Sequence, residues 1–124
     1  MKWQGLTCTS EELRERTKAF AIRIVRLYEA LPKAGAAQVM GKQILRCGTS
    51  VGANYRAACR ARSRAEFISK LGIVVEEADE TIYWLELLSD TGNMGAARLE
   101  ELLKEAHELT AIFTASRSTS RKKS

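Results

Sequence analysis

Apolar residues recur along this chain at the three-and-four spacing of helices buried on one side, and almost no stretch alternates with the period of two that marks a half-buried strand. Leu13, Phe20, Ile24, Leu27 and Leu31 form the first stripe. It starts after Thr9-Ser10, where Thr9 and Glu12 have the spacing of a capping box, and it stops at Pro32, the only proline. The pattern predicts a second helix from about Ala36 to Arg62, with Met40, Ile44, Cys47, Val51 and Ala58 on its apolar side. Ser63-Arg64-Ala65-Glu66 is another capping box, opening a third helix after a very short turn, so the second and third helices are expected to be antiparallel. Phe67, Leu71, Val74, Ala78, Ile82 and Leu85 give the third helix a bundle-type repeat. Thr91-Gly92-Asn93 closes it, and Asn93 is placed to cap a fourth helix with Leu99, Leu102, Leu103, Ala106, Leu109 and Phe113 as core positions.

The expected fold is therefore all-α, an up-and-down four-helix bundle over residues 11–115, preceded by a lead-in at 1–10. Residues 116–124, Ser-Arg-Ser-Thr-Ser-Arg-Lys-Lys-Ser, lack an apolar face and read as a basic, disordered tail. A chain of 124 residues suits one domain with a real core, and 45% hydrophobic with 28% charged residues is the balance of a folded soluble protein. Cys8, Cys47 and Cys59 form no C-x-x-C pair, and there is no N-terminal apolar run of a signal peptide or membrane span, so a cytoplasmic protein without membrane contact is expected. Cys47 and Cys59 lie about 18 Å apart along one helix and cannot bridge each other.

Charge changes the picture more by its distribution than by its net value of +5. From Lys42 to Lys70 there are seven basic residues and one acidic, whereas Leu71 to Glu101 holds eight acidic and one basic. On a helical wheel Lys42, Arg46, Arg56 and Arg60 fall within about 80° of one another, opposite the apolar side and with only small Thr49 and Ala53 between them. No carboxylate of that helix interrupts the stripe. It spans about 27 Å, a length over which a nucleic-acid backbone presents several phosphates, and arginine pairs well with phosphate oxygens. Arg62, Arg64 and Arg121-Lys122-Lys123 are auxiliary candidates. Two other readings share the stripe. It is a solubility face, or it meets acids such as Glu76, Glu77, Asp79, Glu80 and Glu86 in a protein scaffold whose charges serve assembly.

Gly41, Gly48 and Gly52 each cost about 1 kcal/mol relative to alanine inside a helix, and they share one side of the second helix with Cys59. A seam this small admits a close neighbour, either another helix of the chain or another subunit. Tyr83 and Trp84 point about 100° apart on their helix, so both cannot face one core stripe, and at least one is expected at a partner or an edge.

The run Thr49-Ser50-Val51-Gly52-Ala53-Asn54-Tyr55-Arg56-Ala57-Ala58-Cys59-Arg60-Ala61-Arg62-Ser63, then Glu66-Phe67-Ile68 and Glu76-Glu77-Ala78-Asp79-Glu80-Thr81-Ile82-Tyr83-Trp84-Leu85-Glu86-Leu87-Leu88, resembles a bacterial four-helix-bundle family. That family is encoded within intervening sequences of 23S ribosomal RNA genes and elsewhere, and was once labelled a ribosomal protein. The resemblance covers roughly residues 15–110. It implies a basic, ring-like pentamer with a role in binding nucleic acid, RNA favoured over DNA. A distant relative, the accessory variability protein of diversity-generating retroelements, engages a reverse transcriptase with its RNA, which implies a protein partner of that kind as the alternative. Ala57 departs from the pattern, since members usually carry a glutamate there. Asn54 is kept, and its position on the margin of the apolar side suggests a hydrogen bond between helices.

An enzyme is not expected. The one histidine, His107, sits near the edge of the fourth apolar stripe, and no Glu-x-x-His pair, phosphate-cradling glycine loop, nucleophile elbow or zinc spacing occurs. No cofactor and no metal are expected.

Overall fold

The computed structural model describes residues 8–122. It comprises α1 (Ser10–Ala30), α2 (Gly35–Cys59), α3 (Arg64–Asp90) and α4 (Ala96–Lys122), an up-and-down bundle in which each helix packs most heavily on its neighbours in sequence. Contact is most extensive between α2 and α3 and least between α1 and α4.

Local chemistry sets the helix ends. Thr9 and Glu12 exchange both capping-box hydrogen bonds, at 2.9 and 3.0 Å, and this holds the Glu12 carboxyl below its ordinary pKa. Pro32 cannot continue α1, whose last carbonyl-directed bond runs from the Leu31 N–H to the Tyr28 carbonyl at 3.2 Å. Ser63 accepts the Glu66 N–H at 3.1 Å and starts α3, while the second helix stops at Cys59, three residues before the predicted end. At the far end of α3, Gly92 takes φ +74°, the Gly92 N–H reaches the Ser89 carbonyl and the Asn93 N–H reaches Leu88. That is a Schellman turn. Asn93 is thus spent on terminating α3, and its side chain donates to Thr91 Oγ1 at 2.9 Å instead of capping α4.

The four stripes close on a common core. Every core position expected from the pattern is fully or nearly buried except Leu103, which is half-buried against the cluster. Tyr55 of α2 and Phe113 of α4, both fully buried, meet across the diagonal of the bundle with ring centroids 5.0 Å apart. Burial pushes the Cys47 thiol pKa up, as befits a packing residue.

The last segment departs from expectation. Residues 116–122 continue α4 rather than forming a tail. The reason is a stripe of small residues: Ser116 and Ser120 prolong the spacing of Leu109 and Phe113 and are buried, while Arg117 Nε donates to the Ile68 carbonyl at 3.3 Å and its guanidinium covers Gly72. Lys123 and Ser124, like residues 1–7 of the lead-in, lie outside the described residues.

The lightly packed α1–α4 seam is closed by charge. Arg16 Nε and Nη2 grip Glu105 at 3.0 and 2.6 Å, and Nη2 also reaches Glu108 at 3.1 Å, with the hydrogen bond to Glu105 doing most to hold the guanidinium above its ordinary pKa. Arg16→Met leaves Glu105 half-buried without its partner, and the expected cost is about 1–2 kcal/mol by urea denaturation.

Candidate nucleic-acid interface

The predicted stripe divides in two. Arg46 does not stand clear of acids: its Nη1 lies 3.1 Å from Glu77 of α3, its Nη2 pairs with Glu80, and its Nε donates to Gln43. The wheel of α2 could not show this, because the carboxylates arrive from the next helix. Glu80 also accepts the Trp84 indole N–H at 3.1 Å, so part of the acidic surface of α3 is engaged within the chain. Lys42, Arg56, Arg60 and Arg62 are different: all four are exposed, and none forms an ion pair among the described residues.

Arg56 borders a shallow groove of about 520 Å³ between α1 and α2. The groove exists because Thr17, Ala21, Thr49, Gly52 and Ala53 are too small to fill the space between the two helices. Arg14 and Lys18 of α1 join Arg56 on its rim, facing Glu11 and Glu15. Arg14 and Lys18 are not part of the predicted stripe. Their spacing of four residues places both on one face of α1, but which helix that face meets is not written in α1 itself.

Topology gathers further cations at one pole. In an up-and-down bundle the end of α2, the start of α3 and the end of α4 meet, and the Arg117–Ile68 bond fixes the last turns of α4 beside the start of α3. Arg60, Arg62 and half-buried Arg64 therefore share that pole with Arg121 and Lys122, now on an ordered helix. The C-terminal ends of α2 and α4 carry the negative end of the helix dipole, which favours Arg56, Arg121 and Lys122 in their last turns.

The glycine seam faces α1. A Cβ on Gly41 would come 2.9 Å from Leu31, one on Gly48 2.8 Å from Ile24, and one on Gly52 3.2 Å from Thr17. Trp84 is half-buried against the core and Tyr83, 57% exposed, meets it edge-on at 5.1 Å. Asn54 makes no bond between helices; its Nδ2 donates to the Ser50 carbonyl, one turn back on α2, at 2.9 Å. His107 is exposed. Among the described residues, no group of three His, Cys, Asp or Glu side chains could hold a metal ion, and no helix is long and apolar enough to cross a membrane.

No curated protein matches the chain. A crystal structure of a protein of unknown function from the S23 ribosomal protein family of Bacteroides thetaiotaomicron is similar, with 40% identity over 88% of this chain and 97% of that one and a TM-score of 0.78. Residues 10–115, from the first residue of α1 to within a few residues of the buried serines of α4, match the model of one family, and at that coverage the chain belongs to the 23S rRNA-intervening sequence protein family.

Proposed function

We propose that this protein is a non-enzymatic, cytoplasmic, oligomeric binder of nucleic acid that grips the phosphate backbone with the basic pole and the adjoining edge of α2. The observation that carries the reading is the contrast on α2. Arg46 is neutralised by α3, whereas Lys42 and Arg56, and Arg60 and Arg62 just past the end of α2, stand exposed and form no ion pair among the described residues. A surface of cations not tied up in ion pairs attracts a polyanion, and its arginines suit phosphate oxygens. No base-reading motif is present, so recognition is by backbone and shape. The family's name refers to 23S rRNA, which favours RNA over DNA. Ile22, Val25, Val39 and Tyr83, all exposed, support an assembled form, with a pentameric ring as the state the resemblance implies. A ring would repeat each weak contact and raise avidity.

The test is binding of labelled single-stranded and duplex RNA and DNA across a salt series, with light scattering to follow subunit number. With about four phosphates neutralised, affinity is expected to fall on the order of 100-fold from 50 to 200 mM salt at constant oligomer size. Arg56→Ala with Arg60→Ala should weaken binding and leave helicity and size unchanged, whereas Arg46→Ala should lower stability and change affinity little. No binding at low salt, or an oligomer that dissociates as salt rises, would favour a scaffold for a protein partner such as a reverse transcriptase.

A further inference from the structure

A second group of cations lies at the opposite pole, away from α2. Arg23 and Arg26, one turn apart on α1, and Arg98, in the first turn of α4, line one pocket of about 210 Å³ in the α1–α4 seam. Its remaining wall is apolar, with Leu27, Met94 and Leu102 all less than a tenth exposed. No carboxylate lines it. None of the three arginines forms an ion pair among the described residues, although the same seam satisfies Arg16 doubly about 10 Å further along α1. Glu29 shares with Arg26 a second groove along α1 but forms no ion pair with it, and Glu100 and Glu101 follow Arg98 without reaching the pocket.

The placement of Arg98 is costly without a counter-charge. It occupies the first turn of α4, where the positive end of the helix dipole disfavours a cation, and that turn holds no acid to offset it. Three exposed guanidinium-bearing side chains thus line one open, partly apolar hollow beside the start of α4, where an anion would meet cations and no carboxylate. The pocket is smaller than the roughly 300–1,000 Å³ of sites for drug-sized ligands, which matches one anionic group rather than a whole nucleotide.

We propose that Arg23, Arg26 and Arg98 form a phosphate-binding pocket, separate from the α2 surface and independent of its function. Arginine's planar fork takes two phosphate oxygens at once, so three guanidiniums from two helices can surround a single phosphate and cross-link the seam. The full-length protein would be titrated with inorganic phosphate against sodium chloride at matched ionic strength, with amide and arginine side-chain NMR shifts followed. The expected result is saturable movement of the Arg23, Arg26, Arg98 and Met94 signals with phosphate alone. Arg23→Gln with Arg98→Gln, both exposed positions, should weaken phosphate binding about tenfold or more, while Lys104→Gln, an exposed charge outside both sites, leaves it unchanged. Equal shifts in chloride, or an unaltered response in the double variant, would overturn the pocket. Two short RNAs of one sequence then identify the source of the phosphate. Displacement of inorganic phosphate only by the 5′-phosphorylated strand assigns a terminal phosphate, displacement by both strands assigns the backbone, and displacement by neither assigns a free phosphate ligand.

Discussion

Phe113→Ala is expected to destabilise the bundle by about 3–5 kcal/mol in chemical denaturation, the largest loss of any single substitution considered for this chain. The ring is fully buried and lies against Tyr55, so its removal deletes contacts and opens a cavity that two facing helices cannot collapse without moving. A domain of this size has about 5–15 kcal/mol of total stability, which makes that loss a large fraction of it. Phe113→Leu refills most of the space and should cost less than about 1.5 kcal/mol. If alanine and leucine proved equally mild, the diagonal aromatic contact would not be a fixed part of the core.

Gly48→Val should cost about 3 kcal/mol, and Gly48→Ala about 1–2 kcal/mol despite alanine's better helix propensity. A Cβ at this position lies 2.8, 2.9 and 3.0 Å from three atoms of Ile24, a branched side chain with no exposure and nowhere to turn. The other two glycines of the seam are more forgiving. Gly41 opposes only the far end of Leu31 at 2.9 Å, with the Tyr28 ring at 3.2 Å, and Gly52 opposes Thr17 at 3.2 Å, so alanine there should cost less than at Gly48, where three atoms of one side chain crowd the site. Thermal melts of the three alanine variants rank the seam directly; a Gly48→Ala protein more stable than its parent would mean that α1 does not approach α2 this closely.

The bundle was legible in the sequence because its core residues are large, apolar and regularly spaced. Phe67, Leu71, Val74, Ala78, Ile82 and Leu85 needed only the helical period, and all are buried. The end of α4 was not legible by the same rule. Ser116 and Ser120 hold the right positions, yet serine carries no hydrophobic signal, and burial there depends on α3 offering Gly72 and the Ile68 carbonyl to Arg117. Asn93 misled for a related reason: the same residue serves either the end of one helix or the start of the next, and the positive φ of Gly92 decides for the former.

The candidate interface was legible in part. The spacing of Lys42, Arg46, Arg56 and Arg60 places them on one side of α2, but the fate of each charge depends on what the neighbouring helix brings. Glu77 and Glu80 reach Arg46, while Arg14 and Lys18 come alongside Arg56 from α1. One helix's sequence does not contain that register.

Packing mainly between successive helices also bears on how the chain assembles. Each contact surface closes a short loop, so little chain entropy is lost before it forms, and helical bundles of this low contact order fold in microseconds to milliseconds. The α2–α3 hairpin, with the most extensive contact, is expected to form early in that process, and the α1–α4 seam, with the least, is expected to close last and open first. The outer helices should therefore exchange their amide hydrogens ahead of the inner pair, as a molecule that opens along one edge.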